Sequence, residues 1–237
     1  NKIMYQNLQK TKGLVENVFN KVFNKYDLMN DLMSFGAHRV WKKDLIFMMN
    51  PSIHKRLIDV GCGTGDIAKL FSEITKRKND VLNVDPNIKM INEGKKKLKN
   101  YTNIKWKQMP AEKLNIPDNS FDYYTMSFAL RNTKDLNKSI SEAYRVLKKG
   151  GRFLCLEFSK IHNPNLNFIY NKYSKIIPTI GKYIVGDEKP YEYLIKSIEN
   201  FISQEELLDL MKENNFKKCK YRKLSGGIVS IHSGWKF

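Results

Sequence analysis

Asp59-Val60-Gly61-Cys62-Gly63-Thr64-Gly65-Asp66 is the stretch that decides the fold. A short strand pattern, Arg56 to Val60, leads into it and a helical pattern starts at Asp66, so the glycines fall in a strand-to-helix turn. Glycines there let the backbone turn sharply and approach a ligand with no Cβ in the way. The next strand pattern, Val81 to Asp85, ends on an acid 20 residues past Gly65, where a carboxylate can accept hydrogen bonds from ribose hydroxyls. The spacing is Gly-x-Gly-x-Gly and not Gly-x-Gly-x-x-Gly, so the third glycine that helps seat a pyrophosphate is missing. A nucleoside without phosphates fits better than a dinucleotide.

Outward from this turn the chain alternates strand and helix. A helix from Asn87 is followed by strands at Ile104 to Gln108 and Phe121 to Phe128. A helix through Ala143 and Leu147 then leads over Lys149-Gly150-Gly151 to an apolar strand, Phe153 to Phe158. Repeated βαβ units of this kind require a mostly parallel sheet with helices on both faces, a doubly wound α/β fold. Ahead of the core, Val15, Val18, Phe19, Val22, Phe23 and Tyr26 recur at helical spacing from Gly13 to about Met33. Behind it, Pro164 to Val185 is rich in Ile, Tyr and Phe but interrupted by Pro178 and Gly181, which reads as broken helices forming a lid or pocket wall. Ser203-Gln204-Glu205-Glu206 is a capping box opening a helix through Met211, and Gly226-Gly227 joins two extended runs, from Tyr221 onward, into a closing hairpin. One domain is expected over 1–237: a helical cap to residue 50, a cofactor-binding core over 51–160, a helical insertion over 161–200, and a C-terminal helix and hairpin over 201–237.

Composition narrows the partners. With 42 Lys+Arg against 24 Asp+Glu the net charge is +18, which attracts anionic surfaces. Much of the excess is Lys scattered among Asn, as at Lys95-Lys96-Lys97 and Lys217-Lys218, and such runs are usually solvated surface. Cys62, Cys155 and Cys219 are odd in number, far apart and without metal-ligand spacing, so neither a disulfide framework nor a metal site is expected. No apolar run approaches the roughly 20 residues of a membrane span; Leu45 to Met49 stops at Asn50-Pro51. The sequence begins at Asn1 and not at Met, so any targeting peptide would precede it and localisation is not read directly.

Asp-x-Gly-x-Gly-x-Gly with an acid after the second strand resembles motifs I and II of class I methyltransferases, which bind S-adenosyl-L-methionine and release S-adenosyl-L-homocysteine. By that resemblance Asp59, Gly61, Gly63, Thr64 and Gly65 cradle the methionine part and Asp85 the ribose, while Pro110 and Ala111 flank the adenine and Ser127 completes the wall. A narrower likeness covers nearly the whole chain. Tyr26 to Ser34 with His38-Arg39 and Trp41-Lys42, Phe128-Ala129-Leu130-Arg131-Asn132, Leu156 to Lys160, Tyr191 to Ile198, and Gly226 to His232 resemble the ubiquinone and menaquinone biosynthesis C-methyltransferases. The departures are Ala129, Lys149, Pro190 and Ile202, where the family usually has Gly, Pro, Ser and Pro. The resemblance implies a seven-stranded, mostly parallel sheet with N-terminal helices and a helical insertion after the fifth strand. It also implies a homodimer within a ubiquinone biosynthetic complex, acting on a polyprenyl hydroquinol. Leu156 to Pro164 looks closer to the eukaryotic ubiquinone branch, which implies the matrix side of the mitochondrial inner membrane, held peripherally on anionic lipid.

Such a reaction methylates a ring carbon of a hydroquinol. A phenol titrates near pH 10, so forming its electron-rich anion at pH 7 costs about 4 kcal/mol, which a site that stabilises the anion can offset. Arg131 is the expected catalytic residue: it stays protonated, and so would stabilise an oxyanion or polarise a water that takes the proton. Asn132 would hold that water or the ring hydroxyl, and Tyr26, Asn30 and Glu157 would touch the head group. The bland alternative for Arg131 is an ion pair with Asp135. His38, His162 and His232 have the chemistry of a general base, although lone histidines are more often structural. Phe168, Ile169, Tyr173, Ile176, Ile177 and Ile180 would line a channel for the tail, or simply pack on the sheet. Demethylmenaquinol is the alternative substrate. A nucleic-acid methyltransferase would carry Asn/Asp-Pro-Pro-Tyr/Phe or a Pro-Cys nucleophile, and neither is present. A non-catalytic scaffold subunit would not need both halves of the cofactor site or Arg131-Asn132.

Overall fold

Period-two alternation in the central strands sets the layers. In β1 (Leu57–Val60), β4 (Phe121–Ser127) and β5 (Leu147–Phe158), one set of side chains, Ile58, Val60, Tyr124, Met126, Phe153 and Cys155, packs into one apolar cluster. The interleaved set, Leu57, Tyr123, Leu154 and Leu156, packs into a second cluster on the opposite face. Both faces of the sheet are therefore buried, as a parallel sheet requires. The first cluster is closed by Ile140, Ala143 and Val146 of α4 (Leu136–Val146) and by Leu207, Leu210 and Met211 of α6 (Gln204–Glu213). The second is closed by Trp41, Leu45, Ile46 and Met49 of α1 (His38–Met49) and by Ile67, Ala68 and Phe71 of α2 (Asp66–Ile74).

The computed structural model describes residues 30, 31, 34, 36–161, 164, 165, 168, 170, 172, 173, 176 and 189–237. Adding β2 (Val81–Asp85), α3 (Ile88–Lys97), β3 (Ile104–Gln108), α5 (Lys189–Glu199), β6 (Lys217–Leu224) and β7 (Val229–Trp235), the seven strands lie in the order β3-β2-β1-β4-β5-β7-β6. Strands β1 to β5 are mutually parallel and β7 runs antiparallel to both neighbours. The order reverses between β1 and β4, so a crevice opens beyond their carboxyl ends, where such folds bind ligands. Among the described residues no helix is long and apolar enough to cross a membrane.

Local signals account for most boundaries. Asn87 caps α3 by accepting from Lys89 and Met90 N–H, and Ser203 and Glu206 form the expected reciprocal capping box on α6. Strands β1 and β6 begin at Leu57 and Lys217 where Arg56 and Tyr221 were expected, and two further boundaries have a clear local cause. Strand β4 stops at Ser127 because Phe128 turns into the left-handed region, at φ 55°. Helix α4 ends at Val146, and Leu147 is already extended and pairs with Phe121; Lys148 to Gly151 then bulge out before the ladder resumes at Arg152, with Gly150 at φ 76°. Pro190 lies in the first turn of α5, where no intrahelical N–H is needed, and Ile202 is buried ahead of the Ser203 cap.

Most of the helix expected from Gly13 to about Met33, including Tyr26, lies outside the described residues, as do His162, Ile169, Ile177 and Ile180. Of the apolar residues expected to wall a channel, Phe168 and Ile176 are exposed, at 60% and 55%, and Lys172 Nζ sits 4.4 Å from the Phe168 ring centre.

Candidate functional site

The cradle forms where β1 gives way to α2. Gly61 and Gly65 both adopt positive φ, 66° and 89°. A Cβ on Gly61 would collide with the Ala129 methyl, and one on Gly65 would press on Trp106, Asn83 and Leu98. Close approach from several sides thus requires glycine here, beyond the backbone angle itself. Ala129, one of the departures from the family pattern, is what fills the space over Gly61.

Asp85 fixes the loop from the next strand. Gly63 N–H donates to its Oδ2 at 2.9 Å and Asn87 N–H to its Oδ1 at 2.8 Å. Burial nevertheless raises its carboxyl to about 6, against the pull of those two donors. Asp59, at the end of β1, is 1% exposed. Its Oδ1 accepts from Thr125 Oγ at 2.8 Å, while Oδ2 has no partner, and burial raises this carboxyl to about 7. The Ser127 hydroxyl is likewise buried without a partner. Both residues line the hollow described next, where a polar ligand could complete their bonding.

Asp59, Gly61, Cys62, Thr64 and Ser127 line one hollow together with Lys42, Asp66, Ile67 and Phe128. Asp59, Gly61, Thr64 and Ser127 were expected there, and Gly63, Gly65 and Asp85 shape the loop from behind. Pro110 is exposed and Ala111 buried; neither is among the lining residues. Lys42 and Phe128 were not expected at the cofactor. Both lie in stretches that carry the family resemblance, but nothing in their spacing assigns them to this hollow. Lys42 comes from α1, is 7% exposed, and donates to Asp66 Oδ2 at 2.7 Å; Lys97 of α3 donates to Asp66 Oδ1 at 2.8 Å. Burial would raise the Asp66 carboxyl, but the two ammonium groups outweigh it and hold the acid well below the usual carboxylate range.

Arg131 lies next door, in a 3-10 turn, Leu130–Asn132. It is buried, 7% exposed, and its Nη1 donates to Glu157 Oε1 at 2.7 Å and to the Phe128 carbonyl at 2.6 Å, while Nε donates to Ser197 Oγ at 3.2 Å. Its partner is therefore Glu157 and not Asp135, which is occupied capping α4 through Lys138 N–H. Glu157, 1% exposed, accepts also from Phe158 N–H at 2.9 Å and from Arg131 N–H at 3.3 Å. Asn132 Oδ1 accepts from Tyr193 Oη at 2.9 Å. Burial pushes the phenols of Tyr193 and Tyr170 up to about 12, although the charge of Arg131 acts on both in the opposite direction.

The other expected residues make these contacts. His38 is buried and bonded to Asp31 Oδ1 at 2.8 Å, and the Asn30 carbonyl accepts from Ser34 Oγ at 2.6 Å. His232 is buried in the β7 ladder; its Nε2 donates to the Gln204 carbonyl at 2.9 Å, and burial lowers its pKa to about 4. That is a structural histidine held neutral.

The strand order, the glycine turn and the carboxylate after β2 define an S-adenosylmethionine-dependent methyltransferase. Solved structures agree on the fold. An S-adenosylmethionine-dependent methyltransferase from Thermotoga maritima, described as a possible histamine N-methyltransferase, superposes with a TM-score of 0.66 at 23% identity, covering 94% of this chain and all of that one. Phosphoethanolamine N-methyltransferase 2 of Haemonchus contortus, solved with S-adenosyl-L-methionine, gives 0.63 at 15% identity over 82% of this chain and 52% of that one. The model of the ubiE/COQ5 methyltransferase family matches residues 5–236, and the chain belongs to that family. The ubiquinone/menaquinone biosynthesis C-methyltransferases UbiE of Rickettsia akari and Rickettsia prowazekii are 49% and 47% identical to it, each over 96% of this chain and 94% of theirs.

Proposed function

We propose that the protein C-methylates a polyprenyl methoxy-benzoquinol, in its reduced form, as a step of ubiquinone biosynthesis. The observation that carries this reading is the adjacency of the two sites through one residue. Phe128 lines the cofactor hollow, and its carbonyl accepts a hydrogen bond from Arg131. A buried cation with Asn132 beside it thus stands next to the place where the methyl donor binds.

Bound S-adenosylmethionine supplies an electrophilic methyl group. The residues around Arg131 supply the rest. Glu157 and Ser197 fix the guanidinium, so its orientation costs nothing when substrate arrives. The guanidinium and the Asn132 amide then stabilise the hydroquinol oxygen as its proton passes to a water, which raises electron density on the ring carbon. That carbon takes the methyl as the bond to sulfur breaks, and its own hydrogen then leaves as a proton to water while the ring regains aromaticity. Tyr193, bonded to Asn132, and Tyr170 give this side an aromatic surface suited to a flat ring. Glu157 acts by orienting Arg131, a different role from direct contact with the head group.

The ubiquinone branch is supported by the stretch Leu156 to Pro164, and demethylmenaquinol is the alternative substrate, since the names of the relatives cover both quinones. Those relatives are bacterial, so a mitochondrial location rests on that stretch alone. The charge of +18 supports a peripheral position on anionic membrane, helped by about 1 kcal/mol per basic residue near the surface. Homodimer formation and membership of a biosynthetic complex are part of the same proposal and rest on the family. The test is methyl transfer from labelled S-adenosylmethionine to short-tailed 2-methoxy-6-polyprenyl hydroquinol and, in parallel, to a short-tailed demethylmenaquinol, both kept reduced. Carbon methylation of the benzoquinol in preference supports the reading. Preference for the naphthoquinol moves the protein to the other branch, and transfer to neither despite cofactor binding counts against both.

A further inference from the structure

We infer that Lys42 binds the α-carboxylate of the cofactor's methionine end, so that the helix ahead of the core supplies one wall of the cofactor site. The inference deepens the methyltransferase reading and rests on it. Four observations carry it.

Lys42 is buried at 7% exposure, and it lines the same hollow as Asp59, Gly61, Thr64 and Ser127. An ammonium has three donors, and among the described contacts Asp66 takes one of them. A desolvated ammonium with donors to spare, facing a ligand cavity, calls for an acceptor there.

Charge bookkeeping gives the sign of that acceptor. Lys42 is a cation, and Asp66, its described partner, is shared with Lys97, so an anionic acceptor suits its remaining donors. Asp59 on the strand side has an unpartnered buried oxygen, a place for a cation. The methionine end of the cofactor carries one α-carboxylate and one α-ammonium. Of the charged groups lining the hollow, Asp66 is already bonded to lysine, while Lys42 has donors to spare and Asp59 a bare oxygen, so the carboxylate belongs to Lys42 and the ammonium to Asp59.

The position of Lys42 is held in advance. Its neighbour Trp41 packs against the Phe128–Phe158 pair, with ring centres 6.2 Å and 6.4 Å away, and its Nε1 donates to Ser225 Oγ at 2.9 Å. Asp66 anchors the ammonium itself, so little side-chain entropy remains to be lost on binding.

The experiment compares S-adenosylmethionine, S-adenosylhomocysteine and decarboxylated S-adenosylmethionine, which keeps the ammonium and sulfonium but lacks the carboxylate. Calorimetric titration of the whole chain reads each affinity. Wild type is expected to bind S-adenosylmethionine at least about tenfold tighter than the decarboxylated form, a difference of about 1.4 kcal/mol. Lys42→Met is expected to lose about tenfold or more for the two carboxylates and less than about threefold for the decarboxylated ligand, while Lys42→Arg keeps most of the discrimination. Equal losses for all three ligands would mean that Lys42 acts only through the shape of the loop, and overturn the inference. So would no loss at all. If Lys42→Met does not fold, wild type and Lys42→Arg decide: a wild type that fails to discriminate overturns it. A wild type that binds none of the three brings down the cofactor reading itself.

Discussion

The guanidinium of Arg131 and the carboxylate of Glu157 meet at 2.7 Å with almost no exposure to solvent, bringing together residues 26 apart in the chain. The pair makes Arg131 rigid, and it also makes a simple deletion ambiguous. Removing one member of a buried ion pair strands the other.

Arg131→Ala is therefore expected to abolish turnover and also to destabilise the fold by about 3 to 5 kcal/mol, because Glu157 is left charged and buried. The double variant Arg131→Met/Glu157→Leu separates the effects. Urea denaturation should show most of the stability restored, with turnover still absent. Recovery of turnover in the double variant would remove Arg131 from catalysis.

Asp85 accepts from two backbone N–H groups, and in the proposed site it would also serve the ribose. Asp85→Asn places an N–H₂ against one of those donors and removes an acceptor for the ribose. Affinity for S-adenosylmethionine and for its decarboxylated form should fall together, by about tenfold or more. A loss confined to the carboxylate-bearing ligand would contradict the assignment of the two ends.

Gly61→Ala meets two obstacles, the left-handed backbone and the Ala129 methyl. The backbone term alone is worth about 1 to 2 kcal/mol, and the collision adds to it. Adding Ala129→Gly relieves the collision only. Thermal unfolding and cofactor titration should place the double variant between Gly61→Ala and wild type. A single variant that binds cofactor like wild type would show the loop to be more open than described.

His232 gives a pH signature. Its pKa falls from 6.5 to about 4 on folding, so between these values the unfolded chain binds a proton that the native protein does not. Native stability carried by this residue is thus present above pH 6.5 and is lost as pH falls toward 4, up to about 3 kcal/mol. Asp59 and Asp85 are shifted the other way, their carboxyls raised in the native state, and they favour folding as pH falls through part of the same window. Comparing wild type with His232→Gln cancels the acids. The stability difference between the two should shrink as pH drops from 7 to 4.5, and a constant difference would show that His232 protonates freely in the fold.

Sequence by itself determined what depends on neighbours along the chain. The short strand patterns of Val81 to Asp85 and Ile104 to Gln108, the Asn87 and Ser203 caps, and the glycine turn at 61–65 are short-range features whose physics is complete within a few residues. These already imply the parallel sheet, the crevice and a nucleoside site in it. What only the tertiary structure decided is which distant groups meet. Asp135 is four residues from Arg131 and was the natural partner by proximity, yet the start of α4 uses its carboxylate, and β5 delivers Glu157 instead. Lys42 reaches Asp66 because α1 packs on the same apolar cluster as α2, an arrangement set by burial of Trp41, Leu45 and Phe71. Charge pairs in a buried site follow from how the apolar faces dock, because the hydrophobic term orders the elements first and the polar groups must then be satisfied by whatever is brought within reach.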